Sequence, residues 1–380
     1  MRIEPFELER WQSVWENCVE LNIAESGVEP LSVRELIADQ KDLERVLDAR
    51  LGYPQTNGSE ELRSRIAALY PGANSANVLV TCGGAEANYL VTWALTEPGD
   101  DVIFMQPNYM QVAGLARAFG ANVKPLWLRE ELGWTPDADE LAKLVTSKTR
   151  LIAICNPNNP TGAVLSEGAM QAICAAAEKC GAWILADEVY RGAEFSGDTT
   201  STFWGRYERV LCTAGLSKAY GLPGLRTGWL VGPPDMVAKL WGYHDYTSIS
   251  PTMLTDKLAS LALEPTRHRK LIERTRKILR EHYPIVSEWL GSHKDELTHT
   301  PPRAGAIAWI GLRGTKASTA VAEDLRAKQG VLLVPGEQFA MSGYLRIGFG
   351  GNAAQLKQAL GRIDDWFYES KHEGKASRNA

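Results

Sequence analysis

The sequence predicts an α/β protein: a large domain with a mainly parallel mixed sheet covered by helices on both faces, plus a smaller α+β domain formed by the N- and C-terminal segments. Three observations carry this expectation. Between residues 77 and 231, short apolar runs alternate with stretches of helical period. Runs such as Leu151-Ile-Ala-Ile-Cys155 and Trp183-Ile-Leu-Ala186 are apolar throughout, as in strands buried on both faces. Helical patterns dominate after residue 233, and strand patterns return only near residue 306.

Taken in order, residues 5–20 read as an amphipathic helix and 21–28 as a short extended piece containing a glycine. Ser32 stands as the cap of a helix over 33–49, with Glu35 at the capping-box position. After the turn-rich loop 51–58, Ser59 caps a helix over 60–69. Strands are predicted at 78–80, 101–105, 122–128, 151–155, 182–186, 210–212 and 227–231, with helices ending at 95 and spanning 109–119, 137–145 and 167–179 between them. Helices follow at 234–246, 252–263 and 266–290. The last part reads as strand 306–310, helix 318–329, strands 331–334 and 344–347, and a closing helix 354–368 before a polar, frayed tail. The large domain is expected over 46–285 and the small one over 1–45 with 286–380, the tail 370–380 disordered.

Composition excludes several classes. The formal net charge of −5 argues against a nucleic-acid surface, and no apolar run reaches the length of a membrane span. The acidic N-terminus lacks an apolar signal core, and six scattered cysteines without a CxxC pair read as reduced thiols. The expectation is a cytoplasmic protein with no disulfide framework and no metal site.

Chemistry gathers where strands end, the edge at which such sheets bind ligands. In Thr213-Ala-Gly-Leu-Ser-Lys-Ala-Tyr-Gly-Leu-Pro-Gly-Leu-Arg-Thr-Gly-Trp229, Lys218 follows a buried strand and sits among small and apolar residues. A partly desolvated lysine loses preference for its charged form and becomes a usable amine, suited to a Schiff base with a carbonyl such as that of pyridoxal phosphate. A surface lysine after a strand is the plain alternative. Gly83-Gly84-Ala85 opens a helix after a strand, so backbone N–H groups and the helix dipole can receive an anion; a tight turn explains it equally. Tyr109 ends another strand in Gln106-Pro-Asn-Tyr109, exposed-looking and able either to stack on a flat ring or to pack. Asn159 stands in Asn156-Pro-Asn-Asn-Pro-Thr-Gly162, a rigid turn that leaves its amide free to donate. Asp187, in Asp187-Glu188-Val-Tyr190, closes a buried strand, where a carboxylate is costly unless it meets a cation or caps a helix. A pyridinium nitrogen is such a cation; at ~3 Å and an effective dielectric of ~20 the gross attraction is roughly 5 kcal/mol. Arg226 is suited to grip a phosphate bidentately.

In this order the parts resemble the class I/II aminotransferases, the fold type I pyridoxal phosphate enzymes, over nearly the whole chain. The motifs are Gly83-Gly84-Ala85, Pro107-Asn-Tyr109, Asn159-Pro-Thr-Gly162, Asp187-x-x-Tyr190, Ser217-Lys218 with Arg226, and Tyr344-Leu-Arg346. The resemblance implies Lys218 as Schiff-base lysine and proton shuttle, and Asp187 as partner of the ring nitrogen. Asn159 and Tyr190 look like donors to the ring hydroxyl, and Tyr109 like the stacking aromatic. Gly83, Gly84, Ala85, Ser217 and Arg226 would hold the phosphate. Tyr53 is similar to the tyrosine that reaches the phosphate of the other subunit, which implies a homodimer with shared active sites. Arg346 looks like the clamp for the substrate α-carboxylate, with Gly27 the small residue beside it. The implied activity moves an amino group between an L-amino acid and a 2-oxo acid.

Two departures stand out. Gly215 occupies a position, three before the lysine, where many members carry a serine on the phosphate, so the phosphate cup has one hydroxyl fewer, or Thr213 or Ser217 compensates. No arginine stands in 244–248, against a dicarboxylate substrate, and His244 and Asp245 there leave a polar or basic substrate open. The divergent segment Asn22-Ile-Ala-Glu-Ser-Gly-Val28 hints at a biosynthetic branch, for which a lyase or cyclase acting on a substituted amino acid is the alternative. A regulator with a DNA-binding module has too few residues ahead of the core, and a nicotinamide dehydrogenase lacks its glycine fingerprint.

Overall fold

The computed structural model describes residues 2–37, 39–314 and 317–376, the side chains of 371–376 excepted. A helix, Glu7–Trp15, leads to the short strand β1 (Leu21–Asn22). The central sheet follows as β2 (Val78–Thr81), β3 (Asp101–Gln106), β4 (Asn122–Trp127), β5 (Thr149–Cys155), β6 (Trp183–Asp187), β7 (Val210–Gly215) and β8 (Gly228–Val231). Spatial order is β2-β8-β7-β6-β5-β3-β4, and only β8 runs against the rest.

The apolar runs explain why both faces are covered. Along β3, Val102 and Phe104 enter one core while Ile103 and Met105 enter the other; along β5, Leu151 and Ala153 part from Ile152 and Ile154 in the same way. Each strand therefore feeds two cores with period two. The helices Gly83–Leu95, Gln111–Ala118 and Pro234–His244 cover one face, with Leu90, Ala113 and Leu240 buried against it. Glu167–Cys180 covers the other through Met170 and Ile173. Each such burial of a large apolar side chain stabilises by about 1.5–3 kcal/mol.

The long helix Pro265–Ser292 leads to the smaller sheet. Its strands are β9 (Leu297–His299), β10 (Ile307–Leu312), β11 (Val331–Leu332), β12 (Val334–Pro335) and β13 (Tyr344–Gly348). Four are antiparallel in the order β12-β13-β10-β9, while β11 pairs in parallel with β1 and ties the chain's two ends together.

The architecture expected from sequence is present, with local differences. The helix expected over 33–49 is two, Val33–Leu36 and Gln40–Leu47. The Ser32–Glu35 capping box forms, but Ile37 turns extended and Asp39 starts afresh by accepting from Asp42 N at 2.9 Å. A second capping residue thus competes with continuation of the first helix. The strand expected at 331–334 divides at Leu333 because its halves pair with different partners, β1 and β13. The closing helix runs Ala353–Ala376, past the expected end at 368, since no proline interrupts it; residues 377–380 lie outside the described residues. Leu297–His299 adds a strand that three residues are too short to announce. Only Cys155 and Cys212 are buried, and Cys18 and Cys82 are exposed.

Gly228 is where the sheet meets the start of helix Gly83–Leu95: a Cβ there would lie 2.2 Å from the Gly83 carbonyl carbon. Gly228→Ala should destabilise by about 1–3 kcal/mol, the cost of overpacking a filled site. The check is a lowered melting temperature; an unchanged one contradicts this close approach.

Candidate active site

Strand register gathers the catalytic edge. Cys155 pairs with Asp187, and Asp187 with Thr213, while Gly215 and Thr81 both face Gly228. The segments after β2, β3, β5, β6 and β7 therefore open into one cavity of about 460 Å³. Gly84, Ala85, Tyr109, Asn159, Asp187, Tyr190, Ser217, Lys218, Arg226 and Arg346 all line it.

Lys218 differs in charge state from the sequence expectation. Its Nζ donates to Glu25 Oε1 at 2.6 Å, with about 24% of its side chain exposed. Burial pulls its pKa down, but the Glu25 carboxylate, helped by Tyr190, outweighs burial and leaves the ammonium above its ordinary range. The Lys218 charge in turn holds Glu25, against burial, at about 2. Desolvation alone thus does not make a free amine here. Glu25 is held in place by the N–H groups of Ser26 and Gly27, each 2.9 Å from Oε1.

Asp187 ends β6 with its carboxylate on the cavity. It accepts from Asn88 Nδ2 at 3.1 Å and from Val189 N at 3.0 Å, and no cationic side chain pairs with it among the described residues. Burial pushes its pKa up, only partly offset by those donors. Asn88 is fixed by Thr213, whose Oγ1 donates to Asn88 Oδ1 at 2.7 Å. Thr213 is therefore committed behind the ring position, leaving Ser217 as the hydroxyl that lines the cavity. Arg346 is 1% exposed; its Nη1 donates to Asn159 Oδ1 at 2.9 Å and its Nη2 to the Ala24 carbonyl at 2.6 Å. Nε has no partner, and no carboxylate pairs with this arginine among the described residues. Tyr190 donates to Ser26 Oγ at 2.8 Å, and Tyr109 to Glu9 Oε1 at 2.7 Å. Tyr109 is half-buried, not exposed: Phe6 packs edge-on at 4.8 Å.

At the opposite end, Gly83 has φ +79°, and a Cβ there would lie 2.7 Å from Arg226 Nη2. Only glycine lets that guanidinium lie over the helix start. Gly215 has a comparable cause. A Cβ at 215 would lie 3.0 Å from the Thr227 carbonyl and 3.3 Å from Gly228 Cα, so the missing serine reflects crowding between β7 and β8. These features fit pyridoxal phosphate: an anion seat at a helix N-terminus beside Arg226, an unpaired buried carboxylate for a ring cation, and an amine between them.

Other expected residues lie elsewhere. Tyr53 is 83% exposed and does not line this cavity. Gly27 sits against Lys218 and Glu25, where an added Cβ would meet Glu25 Oε1 at 3.3 Å. His244 is fully buried on Glu86 at 3.2 Å, so the hint it offered about substrate polarity does not hold. Hydrogen bonds from His244, Thr247 and Cys82 N outweigh burial and bring Glu86 to about 2. Sequence reasoning missed Asn88, Glu25 and Ser26. Asn88 was accessible from spacing, four residues past Gly84 on the same helix face. Glu25 and Ser26 belong to the divergent segment already noted, but the chain is carried to the cavity there by long-range contacts, the β1–β11 pairing and hydrogen bonds of Ile23 and Ala24 to β13.

Comparison with known proteins agrees with this geometry. The sequence model of the family Aminotransferase class I and II matches residues 20–363. Capreomycidine synthase of Streptomyces vinaceus is 33% identical, over 81% of this chain and 79% of its own length. Arginine–pyruvate transaminase of Pseudomonas aeruginosa is 31% identical, over 85% and 84%. A PLP-dependent aminotransferase from Streptococcus suis superposes with a TM-score of 0.91 at 32% identity, covering 97% of this chain and 99% of that one. The chain belongs to the class I and II aminotransferase family, and shares its fold and its pyridoxal phosphate cofactor.

Proposed function

We propose that the protein is an aminotransferase that moves an amino group between an L-amino acid and a 2-oxo acid, with Lys218 as the cofactor-bearing residue. The observation that carries this is the convergence of Lys218, Asp187, Asn159, Arg226 and Arg346 on one cavity. Pyridoxal phosphate, when bound, supplies a carbonyl for amino groups and a ring that withdraws electrons from the substrate Cα. Asp187 keeps the ring nitrogen protonated, held square by Asn88 and Thr213. Ser217, Arg226 and the backbone of Gly83, Gly84 and Ala85 would seat the phosphate, with Asn159 and Tyr190 as donors for the ring hydroxyl and Tyr109 as the stacking aromatic. Arg346 grips the α-carboxylate and so fixes which Cα bond is aligned for cleavage. Lys218 would hold the cofactor through Nζ and could take the substrate Cα proton as general base and return it as general acid.

The protein works as a homodimer in the cytoplasm, Tyr53 reaching the partner's phosphate site. Its 83% exposure, with exposed Leu47, Leu51, Tyr246 and Ile249, supports such an interface. No helix among the described residues is long and apolar enough to cross a membrane.

A second reading, a lyase or cyclase, is favoured by one feature: Glu25 lies 2.6 Å from Lys218 and adds a further acid or base beside it. One relative is named a synthase and another a transaminase, so family membership does not divide the two outcomes.

Lys218→Ala should keep the fold and lose at least about 10²–10⁴-fold in turnover, the typical weight of positioned proton transfer. Borohydride should fix the cofactor to the wild-type peptide carrying Lys218; a label on another lysine overturns the assignment. Given one amino donor and no acceptor, the enzyme should release one equivalent of oxo acid per site and stop. Continued turnover on that single substrate points instead to lyase or cyclase chemistry.

The Glu25–Lys218 pair also predicts a pH effect. Raised in the fold, Lys218 adds stability that is full below about pH 10.4 and is lost as pH climbs through its folded pKa. Glu25 adds stability present above about 4.3 and lost as pH falls toward 2. Glu25→Gln leaves burial as the main influence, so Lys218 should titrate at lower pH in the cofactor-free protein. Acetylation of the Lys218 peptide, followed against pH by mass spectrometry, reads this directly; an unmoved midpoint contradicts the pairing.

A further inference from the structure

The wall of the cavity facing Lys218 is built from the N-terminal helix, and its chemistry is one-sided. Glu9, Gln12 and Glu16 stand at spacings of three and four along Glu7–Trp15 and its C-cap, so they share a face, and all three line the cavity. Glu25 joins them from the segment after β1. Four acceptor side chains thus meet in one place, three of them carboxylates. The sole cation paired with any of them is Lys218, and that pairing uses the nitrogen that must carry the cofactor. Glu16 has no ion pair or side-chain hydrogen bond among the described residues, and Glu9 accepts only from Tyr109. Burial and the charges of Glu25 and Glu9 push the Glu16 carboxyl up, which is the signature of crowded like charges.

Two further observations bear on what this wall would hold. Gln12 is only 9% exposed, lines the cavity, and its side-chain amide makes no hydrogen bond among the described residues. Its amide is therefore available to a group held in the cavity. Arg346 is buried at the cavity's edge with Nε unpartnered and no salt bridge among the described residues, and its charge also acts on Glu25 and Glu9. Arg346 thus keeps a donor for a carboxylate, while Glu16 remains for a group rich in donors and positive charge.

Resting on the functional reading above, we infer that the substrate is an α-amino acid with a guanidinium side chain, held by Glu9, Gln12, Glu16 and Glu25. An ammonium offers three donors from a point, whereas a planar guanidinium offers five in a fork and suits several carboxylates at once. A neutral or acidic side chain would leave Glu16 without a partner.

The test titrates the cofactor-loaded enzyme with L-arginine, L-lysine, L-citrulline, L-methionine and L-glutamate, following the cofactor's absorbance and, separately, the melting temperature. Citrulline matches arginine in shape and lacks the charge. Arginine should half-saturate at a concentration at least tenfold below citrulline and lysine, and should raise the melting temperature most. Glu16→Gln, at an exposed position without a protein partner, should weaken arginine on the order of tenfold to a hundredfold, more than it weakens citrulline. Equal answers to arginine and citrulline, or a stronger answer to methionine, glutamate or lysine, overturn the side-chain assignment and leave the functional reading standing. A loaded enzyme whose absorbance answers no amino acid overturns both.

Discussion

Charges without counter-charges organise this protein. Among the described residues, Asp187 closes a strand in the middle of the sheet with two neutral donors and no paired cation, and Arg346 is sealed in the smaller sheet without a salt bridge, with only the more distant carboxylates of Glu25 and Glu9 acting on it. Each would be expensive in a finished structure, because a buried charge is tolerated only when paired. Both face the same cavity, and so does Arg226. The fold is thus charge-incomplete by construction, and pyridoxal phosphate with an α-amino acid supplies the missing partners: a ring cation, a phosphate and a carboxylate. Lys218 differs because a protein partner, Glu25, already neutralises it.

Holding such groups close together requires an unusually firm frame. The register Cys155–Asp187–Thr213 fixes three neighbouring strand ends, and β8 lets β2 arrive at the same edge by running against its neighbours. Gly228 then brings backbone against backbone where Gly83 begins its helix. The phosphate seat is built from the closeness of these chains, and the absence of a side chain at 215 follows from the same crowding. Rigid elements hold the cofactor side, while the opposite wall comes from a single short helix and the segment after β1.

What could be read from sequence follows this division. Lys218, Asp187, Asn159 and Tyr109 each stand just past an apolar run, and a parallel sheet collects strand ends, so pattern alone places them together. The sheet was legible because alternate residues of each run serve two cores. The break at Ile37 was not, because Ser32 and Asp39 are both good caps and only packing decides between them. His244 misled for a related reason: polar residues near a helix end look solvated, yet its ring is buried on Glu86. Glu25 was invisible as a partner of Lys218 because 193 residues separate them and the segment is placed by a two-residue strand pairing. The protonation of Lys218 went astray with it. Sequence exposes the desolvation of a lysine but not the carboxylate that opposes it.

That opposing carboxylate changes meaning during the reaction. While Glu25 faces a free Lys218, the pair is neutral as a whole and the acidic wall is partly balanced. If Lys218 holds the cofactor as proposed, its nitrogen would no longer be a free ammonium for Glu25, and that carboxylate would be left to Arg346 and to the substrate. Because these carboxylates flank a cavity with low-dielectric walls, the field they create is focused and screened less than a surface charge would be. On the proposals above, substrate preference and cofactor attachment would be coupled through one side chain, Glu25.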